Sequence, residues 1–163
     1  HEEDERDKLN FDKENVFGKG QSNDAYARYF DGQSFLNPLV DANSPFFLAN
    51  VTFEPGCRNH WHIHQADKGG GQILICTAGH GWYQEDGKEA VSLEPGKVIV
   101  IPANVKHWHG AKKDSWFSHI ALEVPGENTK TEWLEARCRR RLSISGISNL
   151  YSLKSVRQES AGF

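Results

Sequence analysis

The chain has no long hydrophobic run, little net charge and few cysteines, and each shortage closes off a class of protein. Nowhere do about 18 apolar residues follow one another, the length a helix needs to cross a bilayer, so a membrane-spanning helix is not expected. A formal net charge of −3 draws no polyanion from a distance. The local run "RCRRR", Arg137 to Arg141, reads as a solvated segment, and no nucleic-acid partner is expected. Cysteines number 3. They stand at Cys57, Cys76 and Cys138 with no CxxC pair, which fits unpaired thiols in a reducing compartment. The opening "HEEDERDKLN" has no apolar stretch of the signal-peptide kind, so the expected location is cytoplasmic.

What remains is a polar but ordinary globular composition, 37% hydrophobic and 25% charged over 163 residues, enough for one domain with its own core. Residues 1–28 are mostly polar and read as an N-terminal arm or short docking segment. From residue 29 to 125 the texture is all-β: segments such as "FFLANVTFEPG", "GQILICTAG" and "KVIVIPANVKHWHG" follow one another at short intervals. Asp31-Gly32, Pro55-Gly56, Asp86-Gly87 and Pro95-Gly96 supply turns between them. That spacing predicts a sandwich or barrel. "NTKTEWLEARCRRRL" predicts a short helix over residues 126–142, with Asn128 or Thr129 as its cap. The serine-rich remainder, 143–163, reads as a disordered or atypical tail.

The chemistry concentrates in "WHIHQADKGGGQ", Trp61 to Gln72. In a strand, alternate side chains point the same way about 7 Å apart, so His62 and His64 can converge on one object. A divalent transition metal, Zn, Ni, Fe or Mn, is the natural one for imidazole nitrogens. Gly56 lies six residues before His62, Gly79 seven after Gln72, and a second block places Gly96, Pro102 and His107 in order.

Together these blocks, "GCRNHWHIHQADKGGGQILICTAG" and "GKVIVIPANVKHWHGA", resemble the two motifs of the cupin superfamily. The resemblance implies a double-stranded β-helix, or jelly-roll barrel, with metal ligands at His62, His64, Gln72 and His107, and a homodimer. It is closest in texture to a bacterial subgroup labelled carboxymuconolactone decarboxylase-like cupins, where glutamine also occupies the position of Gln72. Three departures stand out: Gln72 replaces an acid, Asn104 a glycine and Ala111 an asparagine. The loop from Gln65 to Gly71 is also longer than the motif's, and its glycines let the enlarged turn sit close to the centre or over the pocket mouth. A neutral amide leaves a bound cation its full double charge, and the alternative is that Gln72 does not ligate and the site is vacant.

Other residues are placed to do chemistry or to pack. His109 shares a strand face with His107, as a base near the metal or a hydrogen-bonded wall residue. Tyr83 and Trp82 alternate on the next strand, so one faces in and one out, lining the cavity or packing the wall. His119 either contacts ligand or is a polar core group. His60 stands at the rim, and Arg58 either meets a substrate carboxylate or joins a surface ion pair. Cys76 reads as a buried inert thiol. The functional expectation is a metal-dependent enzyme on a small oxygen-rich or carboxylated molecule, of isomerase, decarboxylase or dioxygenase type. In that reading His109 and Tyr83 are the catalytic candidates, with Arg58, His60, Trp82 and His119 around the substrate. The rival is a non-catalytic small-molecule-binding or sensor module.

Overall fold

The alternating segments become strands in a computed structural model, which describes residues 1–137 and the two-residue strand Val156–Arg157. The strands of three residues or more are β1 (Ser34–Pro38), β2 (Leu48–Phe53), β3 (His62–Gln65), β4 (Gln72–Gly79) and β5 (Gly81–Glu85). They continue as β6 (Val91–Leu93), β7 (Val98–Ile101), β8 (His107–Ala111), β9 (Phe117–Glu123) and β10 (Lys130–Trp133). One sheet runs Gln21–Ser22, β1, β2, β9, β4, β7; the other runs β6, β5, β8, β3, β10, Val156–Arg157. All the pairings are antiparallel, and the two sheets face each other across the core, as a jelly-roll barrel requires.

Alternation decides what enters the barrel. On β4, Gln72, Leu74, Cys76 and Ala78 are buried while Ile73, Ile75 and Thr77 are half-buried. On β3, His62 and His64 are buried and Ile63 and Gln65 are not. Val51, Phe53, Leu74, Phe117, Ala121 and Trp133 form the apolar centre.

The outer face of the first sheet is covered by the N-terminal segment. Residues 1–28 are more ordered than a loose arm: Glu2–Glu14 is a helix, α1, whose first turn carries Glu2, Glu3, Asp4 and Glu5, the charge its N-terminal dipole favours. Phe11 is its buried residue and packs on Trp116 at 5.6 Å. Beyond the helix, Asn50 donates from Nδ2 to Asn15 Oδ1 at 2.9 Å and to the Gly18 carbonyl at 2.8 Å. Ser118 donates to Asn50 Oδ1 at 2.9 Å. Buried amides and hydroxyls that satisfy one another in this way hold the segment in one register.

The helix expected over residues 126–142 is not formed where it can be described. Gly126–Glu127 and β10 are strands, and Leu134 to Arg137 follow without regular structure. In "KTEW" the buried residues are Thr131 and Trp133, a period of two, and the segment completes the ladder of β3 with Thr131 opposite His64 and Trp133 opposite His62. An unpaired β3 edge and an exposed indole outweigh a local helical preference. Residues 138–142 of that expectation lie outside the described residues, as does the 143–163 tail apart from Val156–Arg157. Among the described residues no helix is long and apolar enough to cross a membrane.

Candidate metal centre

The enlarged loop after His64 is organised. Lys68–Gly69 pairs with Gly126–Glu127 as a two-stranded ribbon, and Gly69, Gly70 and Gly71 all have positive φ, at 62°, 78° and 92°. At Gly71 a Cβ would stand 2.3 Å from the Ile101 carbonyl oxygen. Only glycine permits both that conformation and that approach, which delivers Gln72 to the barrel interior.

Inside, β3 and β8 bring three imidazoles together: the ligand atoms of His62, His64 and His107 all lie within 4.8 Å of one another, and all three side chains are buried. The ring orientations are held from behind. His62 Nδ1 donates to the His60 carbonyl and His107 Nδ1 to the Val105 carbonyl, each at 2.8 Å. A carbonyl can only accept, so the proton sits on Nδ1 and Nε2 keeps its lone pair. His64 Nδ1 is 3.3 Å from Thr131 Oγ1. Left over are buried atoms with no partner among the described residues: His64 Nε2, His107 Nε2 and Gln72 Oε1.

Electrostatics point the same way. Burial, then repulsion from His107 and His64, holds the His62 imidazolium far below its usual range. Burial lowers His64 to about 3, with repulsion from His107 adding to it and Gln72 alongside opposing it. His107 falls to about 4, again chiefly by burial. Neutral imidazoles with free Nε2 atoms and an orphaned amide oxygen are what a borderline divalent ion binds, and each ring carries the supporting hydrogen bond that metal-bound histidines need. The residues present fit a divalent transition ion.

A second imidazole pair stands beside the first cluster. His109 Nδ1 and His119 Nε2 are 3.1 Å apart, both rings buried. His109 is 5.7 Å from His62 and 6.1 Å from His107, ring centre to ring centre. Burial, then neighbouring His119, keeps His109 neutral, and burial lowers His119 to about 4. Asn59 brackets His109, accepting its backbone N–H at Oδ1 (2.9 Å) and placing Nδ2 3.2 Å from the ring's Nε2. Tyr83 faces inward opposite His109, its ring 5.8 Å from His107, and burial pushes its phenol up to about 12.

Several expected pocket residues stand elsewhere. Trp82 alternates outward and lies under the Lys112 ammonium at 4.4 Å. Arg58 also faces outward, its guanidinium 5.1 Å over Trp108. His60 stays at the rim, with Nε2 3.5 Å from Asp31 Oδ1. It serves the centre through its backbone carbonyl. Cys76 is buried and its thiol is pushed up to about 11 by burial, so it stays protonated.

Four residues were missed. Asn59 sits in a two-residue strand with no motif around it. Thr131 and Trp133 were hidden by the helical reading of their segment, although their own alternation was the available signal. Trp133 stacks on His62 at 4.5 Å and on Tyr29 at 4.5 Å. Glu123 lies directly across the ladder from Gln72, and Gln72 Nε2 donates to its Oε1 at 3.5 Å. Burial raises this carboxyl to about 8, partly opposed by that hydrogen bond. A crevice of about 10 Å³, lined by His64, Gly71, Glu123 and Thr131 among others, reaches the edge of the centre.

Fold and site together define a jelly-roll barrel with a buried three-histidine cluster that could hold a metal ion. The Cupin domain family description matches residues 49–119. A curated relative named (R)-mandelonitrile lyase, from Granulicella tundricola, is 37% identical over 120 residues, which cover 72% of this chain and 88% of that protein. The chain belongs to the cupin family. Among solved structures, a cupin-like protein from Thermotoga maritima is 39% identical with a TM-score of 0.65, covering 76% of this chain and 91% of that one. A predicted oxalate decarboxylase from the same organism shares the fold at 18% identity and a TM-score of 0.53, over 60% of this chain and 84% of that one.

Proposed function

We propose that this cupin is a metal-dependent lyase that breaks a carbon–carbon bond in a small α-hydroxy compound, with α-hydroxy nitriles as the substrate class. The observation that carries the reading is the pairing of two imidazole sets: one cluster with free Nε2 atoms beside a separate neutral pair, His109 and His119, 3.1 Å apart. The relative named (R)-mandelonitrile lyase supports the choice of substrate.

His62, His64, His107 and Gln72 would hold the ion, and a bound Zn, Ni, Fe or Mn supplies Lewis acidity toward a substrate oxygen. The chain's own part is proton traffic. Neutral His109 accepts the hydroxyl proton at Nε2, where the substrate hydroxyl takes the place of the Asn59 Nδ2 donor, as the carbonyl forms. The bond to the nitrile carbon breaks with its electron pair leaving on that carbon, and His109 returns the proton to give hydrogen cyanide. His119 fixes the His109 ring, and Tyr83, protonated throughout the neutral range, offers a hydrogen bond from the same wall.

The test follows release of benzaldehyde from mandelonitrile by metal-loaded protein. Wild type should accelerate it, and His109→Phe should keep its metal while losing about 100-fold or more in rate, the usual share of general acid–base catalysis. An unchanged rate in His109→Phe would overturn the role of that residue; an inactive metal-loaded wild type would overturn the substrate class.

The full burial of His62, His64, Gln72 and His107 favours a second reading, a binding or sensor module with a closed metal site. Exchangeable water on the loaded metal separates the two, because a catalytic site keeps an open position. A homodimer is also part of the proposal. It is supported by Val98 and Val100, 53% and 67% exposed on the edge strand β7. Light scattering at the mass of one chain would count against it. Gln72 at the acidic position supports the narrower placing among carboxymuconolactone decarboxylase-like cupins.

A further inference from the structure

The histidines are buried, and a substrate that reaches them needs room for the part of it that does not react. The crevice of about 10 Å³ beside His64 holds no more than about one water. A larger space opens between the sheets. β6 is the last strand of one sheet and β7 the last of the other. These two strands, with β5, border a cavity of about 420 Å³, within the roughly 300–1,000 Å³ of small-molecule sites.

Register fixes what lines it. Val91 stands opposite Tyr83 in the β6–β5 ladder, on the face that Tyr83 shares with His109. On β7, Ile99 stands opposite the buried Leu74, so it too faces the space between the sheets. Tyr83, Val91, Ile99 and Pro102 give the cavity an apolar lining. Two of its three charged residues satisfy each other, with Lys88 Nζ 2.6 Å from Glu85 Oε2. Tyr83 belongs to both places. It lines the cavity, pairs with His109 across the β5–β8 ladder, and its ring centre is 5.8 Å from that of His107. A group lying against Tyr83 in the cavity is one side chain away from the histidines.

Building on the reading of the protein as a lyase of α-hydroxy nitriles, we propose that this cavity is the subsite for the substrate's side group, that it takes an uncharged aryl or branched alkyl group, and that Val91 and Ile99 set which group fits. An aryl group there gains ring–ring attraction from Tyr83 as well as buried area. One methylene in a pocket of this kind changes kcat/KM by roughly 10- to 200-fold, so two aliphatic side chains are enough to set the preference.

The probe is benzyl alcohol, an aryl alcohol with no nitrile to lose, titrated into zinc-saturated protein while the methyl NMR signals are followed. The Val91 and Ile99 methyls should shift saturably. Val91 is 37% exposed on an edge strand, so the barrel should tolerate Val91→Asp, and benzyl alcohol should then bind at least about tenfold more weakly. The same variant should raise KM for mandelonitrile about tenfold and keep kcat within about twofold, the mark of lost binding rather than lost chemistry. For lactonitrile, whose side group is a single methyl, KM should move by less than about threefold. Val91→Trp, which fills the cavity instead of charging it, should act in the same direction. An absent shift at Val91 and Ile99, wild-type affinity for benzyl alcohol in both variants, or equal losses for the two nitriles overturns the proposal. Binding that appears only when the protein is diluted to single chains gives the cavity to a second copy and overturns it too. Saturable binding at Val91 and Ile99 in a protein that cleaves neither nitrile supports the subsite and overturns the lyase reading alone.

Discussion

His119 makes the acid stability of this barrel measurable one imidazole at a time. It is fully buried, and burial lowers it from 6.5 to about 4, with only a backbone hydrogen bond at Ile120 opposing. The folded chain therefore refuses a proton that the unfolded chain accepts. Its contribution to stability is complete above pH 6.5 and is lost as the pH falls from 6.5 toward 4. Each unit of difference is worth about 1.36 kcal/mol, so the full window is worth roughly 3 kcal/mol. Between pH 6.5 and 4.5 the loss is roughly 2 kcal/mol, a large part of a typical domain's stability. Urea unfolding of metal-free wild type and His119→Gln, at half-unit steps from pH 7.5 to 4.5, gives two curves. The variant sits lower at pH 7.5 by a constant cost of repacking, but its curve should be flatter below pH 6.5, and the gap should close by roughly 2 kcal/mol. The other buried imidazoles steepen both curves and cancel in the difference, except His109, which loses the repulsion of His119 in the variant and flattens its curve further. Parallel curves across the window would mean that His119 takes up its proton in the folded state, and the argument from burial would fail.

Removing metal with a chelator should lower the melting temperature. An ion at 100 times its dissociation constant stabilises by about 2.7 kcal/mol, or roughly 5–11 °C for a chain of this length; His107→Ala should show no chelator effect. Trp133→Ala should cost about 3–5 kcal/mol in urea unfolding, because the indole is fully buried between Tyr29 and His62. It should also weaken metal binding in calorimetry, since His62 loses the ring that backs it. Gly71→Ala forces a Cβ to 2.3 Å from the Ile101 carbonyl oxygen at φ +92°; about 1–3 kcal/mol of strain should appear as a lowered melting temperature and reduced metal occupancy. Val100→Glu should leave the metal site intact and yield a single-chain mass in light scattering.

The inward set His62, His64, His107 and His109 was readable because each pair lies two residues apart, and a strand sends such pairs to one face whatever surrounds it. Gln72, Leu74 and Cys76 follow the same rule. Where the reading went astray, in "NTKTEWLEARCRRRL", a helical pattern competed with a two-residue alternation of Thr131 and Trp133. What decided between them was the open edge of β3, which local sequence does not contain. Trp82 and Tyr83 show the complementary limit: alternation guaranteed one in and one out, and only the pairing of Tyr83 with His109 settled which.

The sequence by itself determined which side chains could share a face, because period and turn chemistry are local properties of the backbone. The tertiary structure alone decided who stands opposite whom. Thr131 behind His64, Asn59 against His109 and Glu123 across from Gln72 are partners separated by 67, 50 and 51 positions. Their meeting depends on strand register, and register is set by the packing of the whole barrel at once.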